Sequence, residues 1–297
     1  MSDVAAFSQQ HTSVSMYSHS TVVRAPESVV RGRWDPSVAG FLGEELLLNH
    51  RRSGRDLGMQ LGVSRFYGHD AILSEAHADL RELTDGVIFL PEHKKPKSGL
   101  TTSISERRSG RDFSGKAATL LELATILWHA QGISGKLNVS TQGDSSTQVS
   151  LRNAPSGGGL YPIRLGVIAV NVTGLPAGIY EYYPNSHGLF PINEAIAPES
   201  YRDLNWTTDL DMNKAAFALV YIYNLYVNSQ KYGDSGLVFA LIEAGGISQN
   251  VHLARGALGM IGCDQGGYNK QNLEKKMRCD GTSQHVIHFT VIGHGGI

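Results

Sequence analysis

At 297 residues, 41% of them apolar, the chain has room for one large domain or two ordinary ones and material for a sizeable core. A net charge of −1 offers no field for nucleic acid or an anionic membrane, and two cysteines, Cys263 and Cys279, are too few for a disulfide framework or a thiolate metal site. No apolar run approaches the ~20 residues of a membrane-spanning helix, and the opening MSDVAAFSQQHTSVSMYSHS lacks an apolar signal-peptide core, so the expectation is a cytoplasmic globular protein with no metal centre.

Residues 1 to about 30 are rich in Ser, His, Gln and Thr without periodicity, and read as a mobile or partner-dependent arm. In AILSEAHADLREL the residues Ile72, Leu73, Ala76 and Leu80 have helical spacing. Pro91 and Pro96 then flank a basic turn, which divides the chain into an N-terminal arm with a small helical segment (1–90) and a main domain (91–297). The hexapeptide RRSGRD occurs twice, at Arg51–Asp56 and Arg107–Asp112, but nothing around the copies matches, so no duplication follows. Paired guanidinium groups beside a serine suit a phosphate; a solvated basic turn has the same composition.

From Thr119 the text TLLELATILWHAQG has capping-box spacing between Thr119 and Glu122, one apolar stripe, and Gly132 as a stop. GKLNVSTQGDSSTQVSLR reads as a loose loop leading into RNAPSGGGLYP, Arg152–Pro162. Glycine accepts positive φ and close approach of other groups, so this turn offers unshielded N–H groups to an anion or to the polar edge of a flat ring, although a flexible surface turn reads the same. LGVIAVNV, GIYEYY and GLFPI follow as an antiparallel meander, and Ala216–Tyr226 as a strand apolar on both faces. Ser235–Gly259 is a long helix, apolar nearly all round and rich in Ala and Gly, which suits burial and a second subunit. GCDQGGYNKQNLEKKM is a second glycine loop before a charged helix, and HVIHFTVIG a last strand.

Taken together, ERRSGRDF, ELATILWHAQG, RNAPSGGGLYP, GIYEYYPNSHGLFPI, KYGDSG, EAGGISQNVHLA and GCDQGGYN resemble the nitroreductase-like FMN flavoproteins over roughly residues 90–297. Within them the likeness is to the SagB-type or McbC-like azoline dehydrogenases. The resemblance implies an α+β, nitroreductase-like fold with a central, mostly antiparallel sheet flanked by helices, built as an intertwined homodimer with FMN at the interface. It implies that Arg107, Arg108, Ser109 and Arg111 hold FMN, making the second RRSGRD copy the cofactor copy. It further implies that Pro155, Ser156, Gly157 and Gly158 line the flavin, that Gly266 and Gly267 approach the ring, and that Lys231 and Tyr232 remove the substrate proton. Where the family usually carries an acidic residue, this chain has Arg164.

Oxidising an azoline to an azole removes a Cα proton and a hydride; FMN accepts the hydride, and a neutral lysine at hydrogen-bond reach accepts the proton. By position alone Lys231–Tyr232 reads as a strand-end pair with the lysine solvated. The implied partners are an azoline-bearing precursor peptide and cyclodehydratase subunits. The rival readings are an NAD(P)H-dependent nitro or quinone reductase on the same cofactor, and a non-catalytic subunit of a peptide-modifying complex.

Overall fold

The computed structural model describes residues 57–68, 85–140, 146–193, 201–207 and 209–296, with Gly43, Leu46, Leu47, His50 and Glu82 singly. The N-terminal arm, the helical spacing over Ile72–Leu80 and the first RRSGRD copy fall outside these residues. The helices are α1 (Leu57–Gly68), α2 (Leu100–Ser105), α3 (Leu120–Gln131), α4 (Tyr201–Leu204), α5 (Leu225–Tyr232), α6 (Ser235–Ala257) and α7 (Lys270–Lys276). The strands are β1 (Ile88–Phe89), β2 (Ala118–Thr119), β3 (Ile133–Ser140), β4 (Ser146–Arg152), β5 (Ile163–Ala169), β6 (Val172–Thr173), β7 (Gly178–Tyr183), β8 (Gly188–Asn193), β9 (Phe217–Asn224), β10 (Ile261–Asp264) and β11 (Gln284–Gly293).

Seven strands form one antiparallel sheet in the order β1-β8-β7-β5-β9-β11-β10. The expected meander is β5, β7 and β8. In β9 all eight residues are buried, because successive side chains point to opposite faces and both faces are covered. Leu219, Tyr221 and Tyr223 join Leu123, Ile126 and Leu127 of α3 and Ala240, Ile247 and Val251 of α6 in one core. Ala218, Val220 and Ile222 join Leu204 of α4 and Leu273 of α7 in the other. The structure thus has the α+β architecture anticipated above, a mostly antiparallel sheet with helices on both faces.

Three local readings are corrected. The expected loose loop before the glycine run is a two-stranded hairpin, β3 paired with β4 through Leu137↔Val149 and Lys136↔Ser150. Its residues do alternate, with Leu137, Val149 and Leu151 on one face and Lys136, Asn138, Gln148 and Ser150 on the other, a period of two that the loose-loop reading overlooked. The apolar run from Ala216 does not stay extended to Tyr226: the strand ends at Asn224, whose side chain accepts from the Tyr226 N–H at 3.1 Å and starts α5. And α6 is by length and apolarity alone able to cross a membrane; here it lies on the sheet as a core helix, with Glu243 and Arg255 buried along it.

The capping box at the start of α3 is present, with the Thr119 N–H donating to Glu122 at 2.7 Å and the Glu122 N–H donating to Thr119 Oγ1 at 3.1 Å. Gly132 ends that helix for a reason other than left-handed backbone. Its φ is −59°, and a Cβ there would lie 2.4 Å from the Trp128 ring.

Candidate active site

The loop RNAPSGGGLYP crosses α6 and is held there from both ends. Ser156 Oγ accepts from the Tyr161 N–H at 2.9 Å and donates to the Glu243 carboxylate. The Arg152 N–H donates to the Tyr161 hydroxyl at 2.9 Å. Between these anchors Gly157–Gly159 make one tight turn in which Gly158 and Gly159 take φ of +66° and +67°, a conformation that glycine reaches without a Cβ clash.

Lys231 and Tyr232 form the last turn of α5, which stops at Gly233 with φ +54°. They are not a strand end, and Lys231 is not solvated: it is 2% exposed. The pair sits directly over the turn. A Cβ on Gly158 would lie 2.3 Å from the Tyr232 hydroxyl and 2.7 Å from Lys231 Nζ, so the absence of a side chain is what admits both groups. Lys231 Nζ stands 4.0 Å from the centre of the Phe66 ring, a cation–π contact supplied by α1, and Phe66, Leu160, Val227 and Tyr232 form a small apolar cluster around it. The Tyr232 ring meets Phe239 of α6 edge-on at 4.9 Å. Gly157 packs on Phe239 and Pro155 on Gly246 of the same helix. The structure therefore brings Pro155, Ser156, Gly157, Gly158, Lys231 and Tyr232 into one place.

Behind this turn lies Glu243, a residue the sequence reading missed. It is buried mid-helix, accepts from Ser156 and from the Ile163 N–H at 3.3 Å, and burial pushes its carboxyl up to about 7. The available signal was a lone glutamate in an otherwise apolar helical stretch, FALIEAGG.

The other expected residues are elsewhere. Arg107 and Ser109 line a cleft of about 480 Å³ further along α6, with Gly245, Gln249, His252 and His288. Arg108 turns its guanidinium back onto the carbonyls of Ser105 and Arg107, at 2.9 Å each. Arg111 is paired with Asp209 at 2.5 Å on the wall of a second cleft that also includes Trp206 and Thr207. Gly267 belongs to this second neighbourhood: its carbonyl accepts from the Trp206 N–H at 3.0 Å, and a Cβ there would strike Thr207 at 2.2 Å. A Cβ on Gly266 or Gly245 would meet nothing within 4 Å, so both leave open backbone.

The floor of the first cleft is a network that sequence patterns did not reveal. Arg255, buried in α6, donates from Nε to His252 Nδ1 at 2.8 Å, from one terminal nitrogen to the Met260 carbonyl at 3.1 Å and from the other to the Arg108 carbonyl at 2.9 Å. An arginine nitrogen can only donate, so His252 Nδ1 accepts and its Nε2–H faces Asp264 at 3.1 Å. Asp264 also accepts from Ser248 at 3.0 Å and Thr290 at 2.6 Å. Burial alone would raise its carboxyl, but hydrogen bonds from His252, His288 and Thr290 hold it well below the usual carboxylate range. Arg255 thus ties the backbone of the Arg107–Arg108 turn to α6 and to the connection between α6 and β10.

The nitroreductase family model matches residues 104–294 of the chain. The chain is 29% identical over 174 residues to the "Putative nitroreductase MJ1384" of Methanocaldococcus jannaschii, covering 58% of this chain and 80% of that one. It is 32% identical over 133 residues to the microcin B17-processing protein McbC of Escherichia coli, covering 43% of this chain and 49% of McbC, about half its length. Among solved structures, a chain of the E. coli microcin synthetase McbBCD complex with truncated pro-MccB17 bound superposes with a TM-score of 0.55 at 22% identity, over 84% of this chain and 99% of that one. This last likeness is one of fold.

Proposed function

The chain belongs to the nitroreductase family, and on that footing we propose that it is an FMN-dependent dehydrogenase oxidising thiazoline or oxazoline rings to azoles in a ribosomally made peptide. The observation that carries the reading is the buried Lys231 held with Tyr232 against Gly158. A lysine sequestered at a glycine-lined turn suits proton removal beside a flat ring, and a reductase fed by a nicotinamide has no need of it.

The residues fit FMN in kind. Arg107 and Ser109 offer donors to its phosphate, with Arg108 and Arg111 in the same turn, while Gly266 and Gly267, and Pro155 to Gly158, offer backbone that a planar ring can approach. Bound FMN would accept the hydride. Lys231, in its neutral form, takes the Cα proton. Tyr232 orients the lysine or relays that proton, and Phe66, Leu160 and Val227 keep water from it.

The glycine turn and the Arg107 cleft lie at separate stretches of α6, with Arg111 and Gly267 at a further cleft, an arrangement that we propose an intertwined homodimer reconciles by setting one subunit's glycine turn against its partner's Arg107 cleft. In support, Leu241 and Ile242 of α6 are 47% and 66% exposed, a large apolar surface for one chain to leave open. The proposed substrate is an azoline-bearing precursor peptide and the proposed partners are cyclodehydratase subunits, in line with the microcin-processing relative.

The test is mass spectrometry of a synthetic thiazoline peptide incubated with the purified holoprotein: each ring oxidised should lose about 2 Da. An unchanged peptide, together with rapid bleaching of the flavin absorbance by NADPH, would replace this reading with a nitro or quinone reductase, the activity in the name of the archaeal relative.

A further inference from the structure

Arg152 opens the glycine-loop motif, and its guanidinium is the least accounted-for charge among the described residues. The residue is 8% exposed. Its backbone is engaged, with the N–H on Tyr161 and the residue paired to Ile133 in the hairpin. Its guanidinium lies over the Tyr161 ring at 4.7 Å but makes no hydrogen bond or ion pair with any described residue. Five N–H donors in so buried a place normally have acceptors.

The nearby carboxylates are committed elsewhere. Glu243 accepts from Ser156 and Ile163, Glu181 holds Arg164 at 2.6 Å, and Glu82 accepts the N–H groups of Asn185 and Ser186 at 2.6 and 2.7 Å. The Tyr182 hydroxyl is spent on His187 at 2.9 Å.

Arg152 lines a cavity of about 250 Å³ together with Gln131, Tyr161, Arg164, Tyr183 and Val227. Two further polar atoms of its lining residues are unmatched, though both are closed to solvent. Gln131 Nε2 donates to the Ile163 carbonyl at 2.8 Å, but Gln131 Oε1 has no donor; Arg164 reaches Glu181 and Gln284, but its Nε has no acceptor.

We infer that this cavity is a binding site for a monovalent carboxylate. The carboxylate takes the Arg152 fork bidentately. Three acidic side chains in the neighbourhood disfavour a dianion such as phosphate. The carrier is either a small acid or the C-terminus of a peptide. Val227 on the cavity wall and Lys231 are four residues apart on α5, hence on one face of that helix. A carboxylate held here would therefore anchor its carrier one helical turn from Lys231. The inference does not rest on the reaction proposed above, and it is read by binding without turnover.

The probe is N-acetylglycine on the full-length protein, with N-acetylglycinamide as its neutral match. N-acetylglycine should give a calorimetric binding signal and raise the Tm, and the amide should do neither. Arg152→Gln should weaken the binding about 10- to 100-fold. Equal binding of the amide, undiminished binding by Arg152→Gln, or no binding to the unaltered protein at about 10 mM overturns the site. Should that variant fail to fold, phenylglyoxal modification of the unaltered protein, mapped by mass spectrometry, decides. N-acetylglycine must slow modification at Arg152, and an unchanged rate overturns the proposal. N-acetyl-triglycine separates the carriers, since tighter binding than N-acetylglycine assigns the site to a peptide end and equal binding to a small acid.

Discussion

Helix α6 carries buried charge in two stretches and treats it in opposite ways. Toward its C-terminus all three guanidinium nitrogens of Arg255 donate to a partner, and Asp264 gathers donors from His252, Ser248 and Thr290. Toward its middle, Glu243 is buried with Ser156 and one peptide N–H, while the guanidinium of the neighbouring Arg152 has no hydrogen-bond partner among the described residues. A saturated polar network fixes shape, whereas buried polar groups left short of partners cost stability and persist where chemistry or a ligand uses them. The Arg255 end reads as scaffold and the glycine-turn end as the working part.

The contrast can be broken most sharply at Lys231. Lys231→Ala should keep the fold and bound FMN but lower azole formation ~10²–10⁴-fold, the usual loss for a positioned base. Flavin absorbance and peptide mass report the two properties separately, and normal turnover by a folded variant would remove Lys231 from the mechanism.

At the scaffold end the expected loss is in stability instead. Arg255→Met would leave His252 Nδ1 and two carbonyls without donors; at about 1–3 kcal/mol per buried unsatisfied group, with some relaxation, urea unfolding should show a loss of about 3–4 kcal/mol. A change below about 1 kcal/mol would mean that the network is ornamental, as most surface positions are.

Glu243 gives the smallest effect and a direction. Its carboxyl moves from 4.5 when exposed to about 7 when folded. Between these values the native state binds more protons than the unfolded one, so this group's contribution is fully present below pH 4.5 and is lost as pH rises through about 7. The unaltered protein should lose at most about 3 kcal/mol over that window relative to Glu243→Gln. Parallel pH profiles of Tm would count against the assignment.

Sequence patterns reported what repeats and missed what is singular. The apolar runs of β5, β9 and β11, the Thr119–Glu122 capping box and the small-residue helix α6 follow from periodicity, and the structure has them. The hairpin β3–β4 carries a period of two in Leu137, Val149 and Leu151, obscured by the Gly, Ser and Thr residues around it. Glu243 and Arg255 were hidden because a helix that is apolar nearly all round masks the few charges within it. Lys231 was visible as a residue, but its burial depends on Phe66 and on the missing Gly158 side chain, contacts that span long stretches of chain.

That span has a kinetic consequence. The central strand β9 pairs with partners about sixty residues away on either side, Ile163 with Tyr223 and Gln284 with Asn224, while β3–β4 and β7–β8 close between neighbours in the chain. Local hairpins form in microseconds, but pairing across such distances must first overcome loop closure, and topologies dominated by it fold slowly. The glycine turn precedes β5 and α5 leaves β9, so the two halves of the working part meet only when that slow central pairing is complete. Collapsed, partly ordered chains would hold their hairpins and neither the turn over Lys231 nor the cavity behind it, which makes ligand capture during refolding a late event that reports the finished sheet.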